Sequence, residues 1–200
     1  MSPPLQTAYL ARHGETAWSR SGRHTGRTDV PLTADGDAEA RRLGERLRPL
    51  DIARVLTSPL RRAARTCELA GFGANAEVDA DLVEWDYGDY EGLRSADIRR
   101  ERPGWQLFRD GCPGGESASD VAVRADRVIA RVREGADSVL VFSSGHLLRV
   151  LGARWLGLPA TAGQYFLLAT ASLSALGYEH DGAEPVLRFW NDTGAPGRAS

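Results

Sequence analysis

The chain has 200 residues, 42% hydrophobic and 26% charged, which is the composition of an ordinary globular protein and excludes a disordered or collagen-like chain. Its formal net charge of −2 argues against a nucleic-acid partner held mainly by phosphate contacts, and no apolar run reaches the ~20 residues of a membrane span. Because no charged and then apolar leader opens the chain, we expect a cytoplasmic protein folded as one domain over residues 1–200.

Hydrophobic periodicity and turn residues predict alternating strands and helices along the chain. The predicted strands cover residues 5–11, 53–57 and 138–142, with terminal strands expected within 165–190. The predicted helices cover residues 34–50, 60–70, 95–101, 117–133 and 146–156, and residues 79–92 are expected to form a loop. This alternation indicates an α/β fold, a three-layer α/β/α sandwich with an open, mostly parallel central sheet.

The basic residues of the chain are all arginine: there are 25 of them and no lysine. This excludes sites that need a lysine, such as a Walker P-loop, a Schiff base or the kinase β3 lysine. Any anion that the protein binds through positive charge must therefore be bound by arginine. The two cysteines, Cys67 and Cys112, lack the CxxC spacing of zinc and redox sites and are expected to pack as small apolar side chains.

Three predicted strands end in unusual polar sequences. These sequences are Arg12-His13-Gly14, Ser58 to Arg62, and Ser143 to His146. Ligands of such sheets bind at the carboxyl ends of the strands, so we expect the three segments to converge on one pocket. The helix that follows the third strand can add backbone N–H donors to an anion bound there.

The pair Arg12-His13 has side chains suited to phosphoryl transfer. A histidine can attack phosphorus and form a covalent phosphohistidine, which divides a difficult displacement into two steps. An arginine provides a planar, permanently charged fork that matches phosphoryl oxygens. For an isolated pair, a histidine and an arginine in a solvated loop would be the better interpretation.

The pair is not isolated, because four segments follow one another in a particular order. They are Leu10 to Thr33, which contains Arg12-His13-Gly14-Glu15-Thr16 and Thr25-Gly26; Ser58-Pro59-Leu60-Arg61-Arg62-Ala63; Glu84 to Gly92; and Gly114-Gly115-Glu116-Ser117. Together they closely resemble the motifs of the histidine phosphatase (phosphoglycerate-mutase-like) superfamily, over nearly the whole chain. Residues 84–92 and 111–116 look most like its small acid-phosphatase and sedoheptulose-bisphosphatase-like branch.

The resemblance implies a role for each matching residue. His13 would be the nucleophile, Glu84 the proton donor to the leaving group, and Arg12 and Arg62 the cations that hold the phosphoryl oxygens. The expected substrate-binding residues are Ser19, Thr25, Gly26, Tyr87, Ser144, Gly145 and His146. No metal and no cofactor are expected, and His24 and His180 are expected to be loop histidines without a role.

The sequence departs from the family pattern at one further motif, which is normally Ser-His-Gly with an arginine a few residues on. Alignment on Gly145 and Arg149 places Ser144 at the position of the second pocket histidine. His146 follows two residues later, and a shift of two residues at a strand-to-helix turn directs a side chain elsewhere. We therefore expect Ser144 in the pocket and His146 beside it. A milder departure is Ser19, where the mutases have an asparagine.

The sequence predicts a metal-independent phosphatase for a small phosphorylated metabolite, a sugar phosphate or bisphosphate. Two alternatives stay open. One is a mutase that moves phosphate between hydroxyl groups, and the other is a phospho-ligand binding protein whose catalysis is impaired by Ser144. The expected partner is the small-molecule phosphate, without nucleic acid or membrane, and a homodimer is the commonest assembly for such a chain.

Overall fold

The computed structural model describes residues 6–134, 138–182 and 184–194. Its strands are β1 (Thr7–Arg12), β2 (Arg54–Thr57), β3 (Ala76–Val78), β4 (Ser138–Ser143), β5 (Leu173–Glu179) and β6 (Glu184–Asp192). Its α-helices are α1 (Ala17–Ser21), α2 (Ala34–Leu47), α3 (Arg61–Leu69), α4 (Ser95–Glu101), α5 (Leu107–Asp110), α6 (Ala118–Arg133) and α7 (Gly145–Trp155). Within the described ranges, every helix is too short or too polar to cross a membrane.

The six strands form one open sheet in the order β3-β2-β4-β1-β5-β6. Strands β3, β2, β4 and β1 pair in parallel, whereas β5 is antiparallel to β1 and β6 is antiparallel to β5. Arg12, at the carboxyl end of β1, lies opposite Ser143 at the carboxyl end of β4. The prediction of an open, mostly parallel sheet is confirmed. Residue 5, where the first strand was predicted to begin, lies outside the described residues.

Side chains of β1 and β4 alternate between two hydrophobic cores, one on each face of the sheet. Leu10 and Val141 pack in a core shared with helices α4 to α7. Ala11 and Phe142 pack in a second core, shared with α2 and α3. Because successive side chains of a strand point to opposite faces, strands that are apolar at every position need helices on both sides. The predicted three-layer arrangement is therefore confirmed.

The predicted elements recur with shifted ends. Helix α2 begins at residue 34 as predicted, with Thr33 as its cap, since the Thr33 hydroxyl accepts a hydrogen bond from Gly36 N at 3.0 Å. The helix ends at Leu47 and not at residue 50, because Pro49 has no N–H with which to continue the helical pattern. The structure adds α1, α5 and β3, which are too short to give a periodic signal, and residues 79–92 contain two short 3-10 turns.

Both cysteines are buried in these cores, as expected. Cys67 is 1% and Cys112 is 9% exposed. Burial raises the pKa of each thiol to about 12. The thiols therefore stay protonated near neutral pH and have no nucleophilic role.

Candidate active site

The polar ends of β1 and β4 meet in a cleft at one edge of the sheet, as their sequences predict. Predicted site residues that line this cleft are Arg12, His13, Ser19, Thr25, Glu84, Tyr87, Gly145 and His146. Four residues that were not predicted also line it: Arg23, His24, Arg149 and Leu168. Three predicted residues, Gly26, Arg62 and Ser144, are buried and are not among the lining residues.

The backbone around His13 is fixed by hydrogen bonds from three directions. His13 N donates to Ser143 O at 3.0 Å, and Ala171 N donates to His13 O at 3.0 Å. The next residue, Gly14, donates its N–H to Thr66 Oγ1 at 3.0 Å. The histidine is thus tied to β4, to α3 and to the chain before β5, and it has little freedom to move.

Close packing of two glycines adds to this rigidity. A Cβ atom on Gly14 would lie 2.4 Å from Gly36 O, and one on Gly36 would lie 2.1 Å from Glu15 O. Both distances are well below van der Waals contact, so no larger residue fits at either position without moving the backbone. The turn after β1 can therefore lie directly against the start of α2.

The imidazole of His13 is held in one tautomer. Its Nδ1 lies 2.7 Å from Gly14 O, and because a carbonyl oxygen only accepts, Nδ1 must carry the hydrogen. Burial lowers the pKa of His13 well below 6.5, and the positive charges of Arg12 and Arg62 lower it further. His13 is therefore neutral near pH 7, and the lone pair of its ring is on Nε2.

Arg62 holds a loop beside the cleft. Its two Nη atoms donate to the carbonyl oxygens of Thr25 at 2.9 Å, Gly26 at 2.8 Å and Thr28 at 3.0 Å. Glu91 binds the same loop from its N–H side, accepting from Gly26 N at 2.8 Å and from Thr28 N at 3.1 Å. In this structure Arg62 holds the loop of residues 25–28 in place and is not among the residues that line the cleft.

Three buried polar atoms have no hydrogen-bond partner within the described part of the chain. They are Arg12 Nε, Arg62 Nε and Ser144 Oγ. Arg12 donates from Nη1 to Leu168 O, and a Cβ on Gly145 would lie 3.2 Å from its Nε. Burial lowers the pKa of both arginines, but a guanidinium stays protonated at neutral pH, so both remain cations beside His13.

Glu84 binds the N-terminus of α7. Its carboxylate accepts from Trp85 N at 2.9 Å, His146 N at 2.9 Å and Leu147 N at 2.8 Å, and the residue is only 5% exposed. The first N–H groups of α7 were predicted to bind an anionic ligand. Two of them, from His146 and Leu147, bind the Glu84 carboxylate instead.

Ser144 and His146 lie differently from the arrangement expected. Ser144 is fully buried, whereas His146 lines the cleft, with Nδ1 at 2.6 Å from Tyr87 Oη. Burial lowers the pKa of His146 and raises the pKa of Tyr87, so both are neutral. His24 lies next to them, with its ring centroid 4.7 Å from that of Tyr87, and also lines the cleft. It was predicted to be a loop histidine without a role.

Comparison with known proteins identifies the family. The model of the histidine phosphatase superfamily (branch 1) matches residues 8–193. The chain belongs to this superfamily. The predicted family and the predicted enzyme class, a phosphoric monoester hydrolase, are confirmed.

Individual relatives of this histidine phosphatase agree with that assignment. An acid phosphatase of Mycobacterium tuberculosis (strain ATCC 25618 / H37Rv) is 46% identical over 175 residues, which cover 86% of each chain. Sedoheptulose 1,7-bisphosphatase of Saccharomyces cerevisiae is 39% identical and covers 74% of this chain and 67% of the yeast protein. The solved structure of an open reading frame from Mycobacterium tuberculosis has a TM-score of 0.89 at 41% identity, covering 94% of this chain and 98% of that one.

Some positioning residues of this histidine phosphatase were missed in the sequence. Glu91 lies within residues 84–92, which carry the third motif, so its segment was recognised but its contact with Gly26 was not. Thr66, which accepts from Gly14, has no motif and gives no signal. Both contacts join residues more than fifty positions apart, and such pairs cannot be derived from local patterns.

Replacement of Ser144 by histidine tests the departure from the family motif. A second imidazole could donate a hydrogen bond to the transferring phosphoryl group, and one such donor is typically worth ~3–4 kcal/mol. Because Arg12 remains in the cleft, we expect a smaller gain: Ser144→His raises kcat by at least about tenfold, or ~1.4 kcal/mol. Steady-state kinetics on one sugar phosphate measures the gain, and a melting curve reports whether the buried site accepts the larger side chain.

His146→Ala is the matched variant for this comparison. If Ser144 is the limiting change, removal of His146 has the smaller effect. The reverse pattern, little change in Ser144→His and an inactive His146→Ala, would show that His146 has taken over the role of the second histidine.

The buried histidines make stability depend on pH. Burial lowers the pKa of His24 from 6.5 to about 4, so the unfolded chain takes up this proton at a higher pH than the folded protein. The free energy of unfolding therefore falls as the pH drops from 6.5 to about 4, by about 1.4 kcal/mol per pH unit for such a histidine. His24→Gln is expected to flatten that slope in urea unfolding. His180→Gln, at a side chain that is 71% exposed, is the control and changes it little. An unchanged slope in His24→Gln would mean that His24 takes up its proton equally in both states.

Proposed function

We propose that this histidine phosphatase hydrolyses a small phosphorylated metabolite, a sugar phosphate or bisphosphate, through a phosphohistidine on His13. The observation that carries the proposal is the state of the His13 ring. Its Nδ1–H is bound to Gly14 O at 2.7 Å, and its pKa is lowered by burial, Arg12 and Arg62. The lone pair on Nε2 is therefore available over the whole neutral range, without a base to remove a proton.

The other cleft residues support the two half-reactions. In the first, Nε2 attacks phosphorus and the bond to the leaving alkoxide breaks, with Arg12 stabilising charge on the phosphoryl oxygens. Glu84, in the same cleft, gives a proton to the alkoxide. In the second, water attacks the phosphohistidine, Glu84 takes a proton from that water, and inorganic phosphate and free His13 are released.

The two relatives described above, which have the higher identities, favour hydrolysis as the outcome, whereas Salmonella relatives that are 37% identical over 182 residues are named as probable phosphoglycerate mutases. The two curated relatives described above are named as an acid phosphatase and a bisphosphatase. A mutase would share the phosphohistidine but would return the phosphoryl group to another hydroxyl of the same substrate. Measuring inorganic phosphate and isomer formation in one reaction with each member of a panel of phosphorylated sugars separates the two. Stoichiometric phosphate release supports a phosphatase, and isomer without phosphate overturns the proposal.

Phosphate release is expected to continue in EDTA. Arginines can supply the positive charge that a cation would otherwise provide at the phosphoryl group. Within the described ranges, no group of three or more His, Cys, Asp or Glu side chains could hold a metal ion. The measurement compares initial rates before and after dialysis against EDTA. Activity that is lost on dialysis and restored by Mg²⁺ or Zn²⁺ would contradict the proposed mechanism.

A further inference from the structure

The cleft contains more positive charge than one phosphoryl group needs. Arg12, Arg23 and Arg149 line it, whereas Glu84 is its only lining carboxylate among the described residues. The Glu84 carboxylate is already bound to three backbone N–H groups, and no arginine of the described part of the chain lies within ion-pair distance of it. If Arg12 holds the phosphoryl group at His13, Arg23 and Arg149 remain, and neither has an ion-pair partner among the residues that the structure describes.

Arg149 is one of these two remaining arginines, and its side chain is held in place by several contacts. It donates from Nε to Gly163 O at 2.9 Å and from Nη2 to Gln164 O at 3.0 Å, and its guanidinium stacks 4.7 Å from the ring centre of Phe108. In the part of the chain that the structure describes, no carboxylate lies within ion-pair distance of it. These contacts hold Arg149 in place without a direct ion-pair partner among the described residues, and only the more distant charge of Glu84 opposes its own, so it makes the cleft attractive to anions.

Arg23 is the other remaining arginine; it is exposed, and unlike the neighbouring arginines it forms no ion pair with a described residue. Arg20 forms ion pairs with Glu15 and Asp35, and Arg27 forms one with Asp86 at 2.7 Å. The side chain of Arg23 has neither an ion pair nor a hydrogen bond to any described residue, although it lines the cleft.

The backbone of Arg23 is nevertheless well held. Its N–H donates to Trp18 O at 2.9 Å, and the residue forms an isolated β-bridge with Arg94. The chain thus presents an unpaired guanidinium from a fixed point on the wall of the cleft. A planar guanidinium in that position suits a second phosphate or a carboxylate.

We propose that the cleft has a second anion subsite at Arg23, supported by the charge of Arg149, and that the preferred substrate carries two anionic groups. One group is the phosphoryl group transferred to His13, and the other is a phosphate or carboxylate on the same small molecule. This inference rests on the proposed function, since it assigns the substrate class of the same site. Arg23 is a specificity-determining residue and takes no part in the transfer itself.

Binding without turnover tests the subsite directly. In His13→Ala protein, titration calorimetry with fructose 1,6-bisphosphate and fructose 6-phosphate compares two ligands that differ by one phosphate. The bisphosphate is expected to bind at least about tenfold more tightly, a difference of ~1.4 kcal/mol. Adding Arg23→Gln is expected to reduce this preference to about twofold or less while changing the affinity for fructose 6-phosphate little. Adding Arg41→Gln, at an exposed arginine of α2 outside the cleft, keeps the preference.

The outcomes separate this inference from the proposed function. Equal affinity for the two sugars, or a preference that survives Arg23→Gln, overturns the second subsite. Phosphate release by the wild-type protein is measured on the same two sugars. If both sugars are hydrolysed but the bisphosphate has no advantage in kcat/KM, the phosphatase assignment stands and the inference fails. If neither is hydrolysed while the binding preference depends on Arg23, the subsite stands and the proposed hydrolysis of these sugars fails.

Discussion

His13→Ala is expected to lower turnover by at least about 10⁴-fold and to abolish the covalent intermediate, because removing a nucleophile removes the pathway and not one contact. In the wild-type protein, a rapid quench with a ³²P-labelled substrate should trap phosphate that is stable in base and labile in acid, as a phosphoramidate is. Peptide mapping should place it on His13. The ring contributes its Nδ1 hydrogen bond to Gly14 within its own turn, so the variant should keep its fold, which circular dichroism checks.

The control for this experiment is His180→Ala, at an exposed histidine. It should label and turn over like the wild type. Label that persists in His13→Ala, or that maps to His24 or His146 in the same cleft, would remove His13 from the mechanism.

The structure also predicts how labelling depends on pH. Because the pKa of His13 is lowered well below 6.5, the ring does not need to lose a proton as the pH rises through that value. Labelling of the wild type is therefore expected to show no decline between pH 7 and about 6. A decline centred near 6.5 would indicate a histidine exposed to water.

The fold was largely predictable because its sequence signals are local. Residues 138–142 are apolar at every position after Ser138, which predicts a strand covered on both faces, and β4 lies between two cores as expected. Thr33 marks the start of α2 through the chemistry of a helix cap, whereas the predicted end at residue 50 was wrong because Pro49 has no N–H with which to continue the helix. The short elements α1 and β3 were missed because five and three residues are too few for a period to appear.

The site was predictable in its membership and less so in its contacts. The family motifs predicted that His13, Arg12 and Glu84 belong to one site, and the three residues line the same cleft. They did not show that Arg62 would bind loop carbonyls, since Thr25 lies 37 positions away. Nor did they show that Ser144 would be buried while His146 faces the cleft. A side chain's direction at the start of a helix depends on packing against distant residues, here Tyr87.

Replacement of Glu84 by glutamine is expected to affect substrates differently, depending on how basic their leaving group is. As a general acid, Glu84 matters most where the leaving alkoxide is a strong base. Glu84→Gln is therefore expected to lower kcat/KM for a sugar phosphate on the order of 10²–10⁴-fold. The loss with p-nitrophenyl phosphate should be clearly smaller, because p-nitrophenolate leaves without protonation. Paired kinetic measurements on the two substrates give the ratio.

The same substitution also has a structural cost that must be measured separately. A glutamine side chain has one acceptor oxygen and an NH₂ group, whereas Glu84 accepts from three N–H donors at the start of α7. Leaving a buried donor unpaired costs about 1–3 kcal/mol, and in a protein of this size each kcal/mol lowers Tm by roughly 2–4 °C. A drop in Tm is therefore expected in Glu84→Gln whether or not the residue transfers a proton.

Glu91→Gln provides the matched control for that cost. Glu91 also accepts backbone N–H groups, from Gly26 and Thr28, but it is not among the residues that line the cleft. Its variant should lose stability and lower the rates on both substrates by the same factor, since a displaced loop affects every substrate alike. Only the loss of a proton donor lowers kcat/KM more for the sugar phosphate than for the aryl phosphate. If Glu84→Gln gives equal losses on both, like Glu91→Gln, then Glu84 acts by holding the N-terminus of α7 in place and the proton comes from another group.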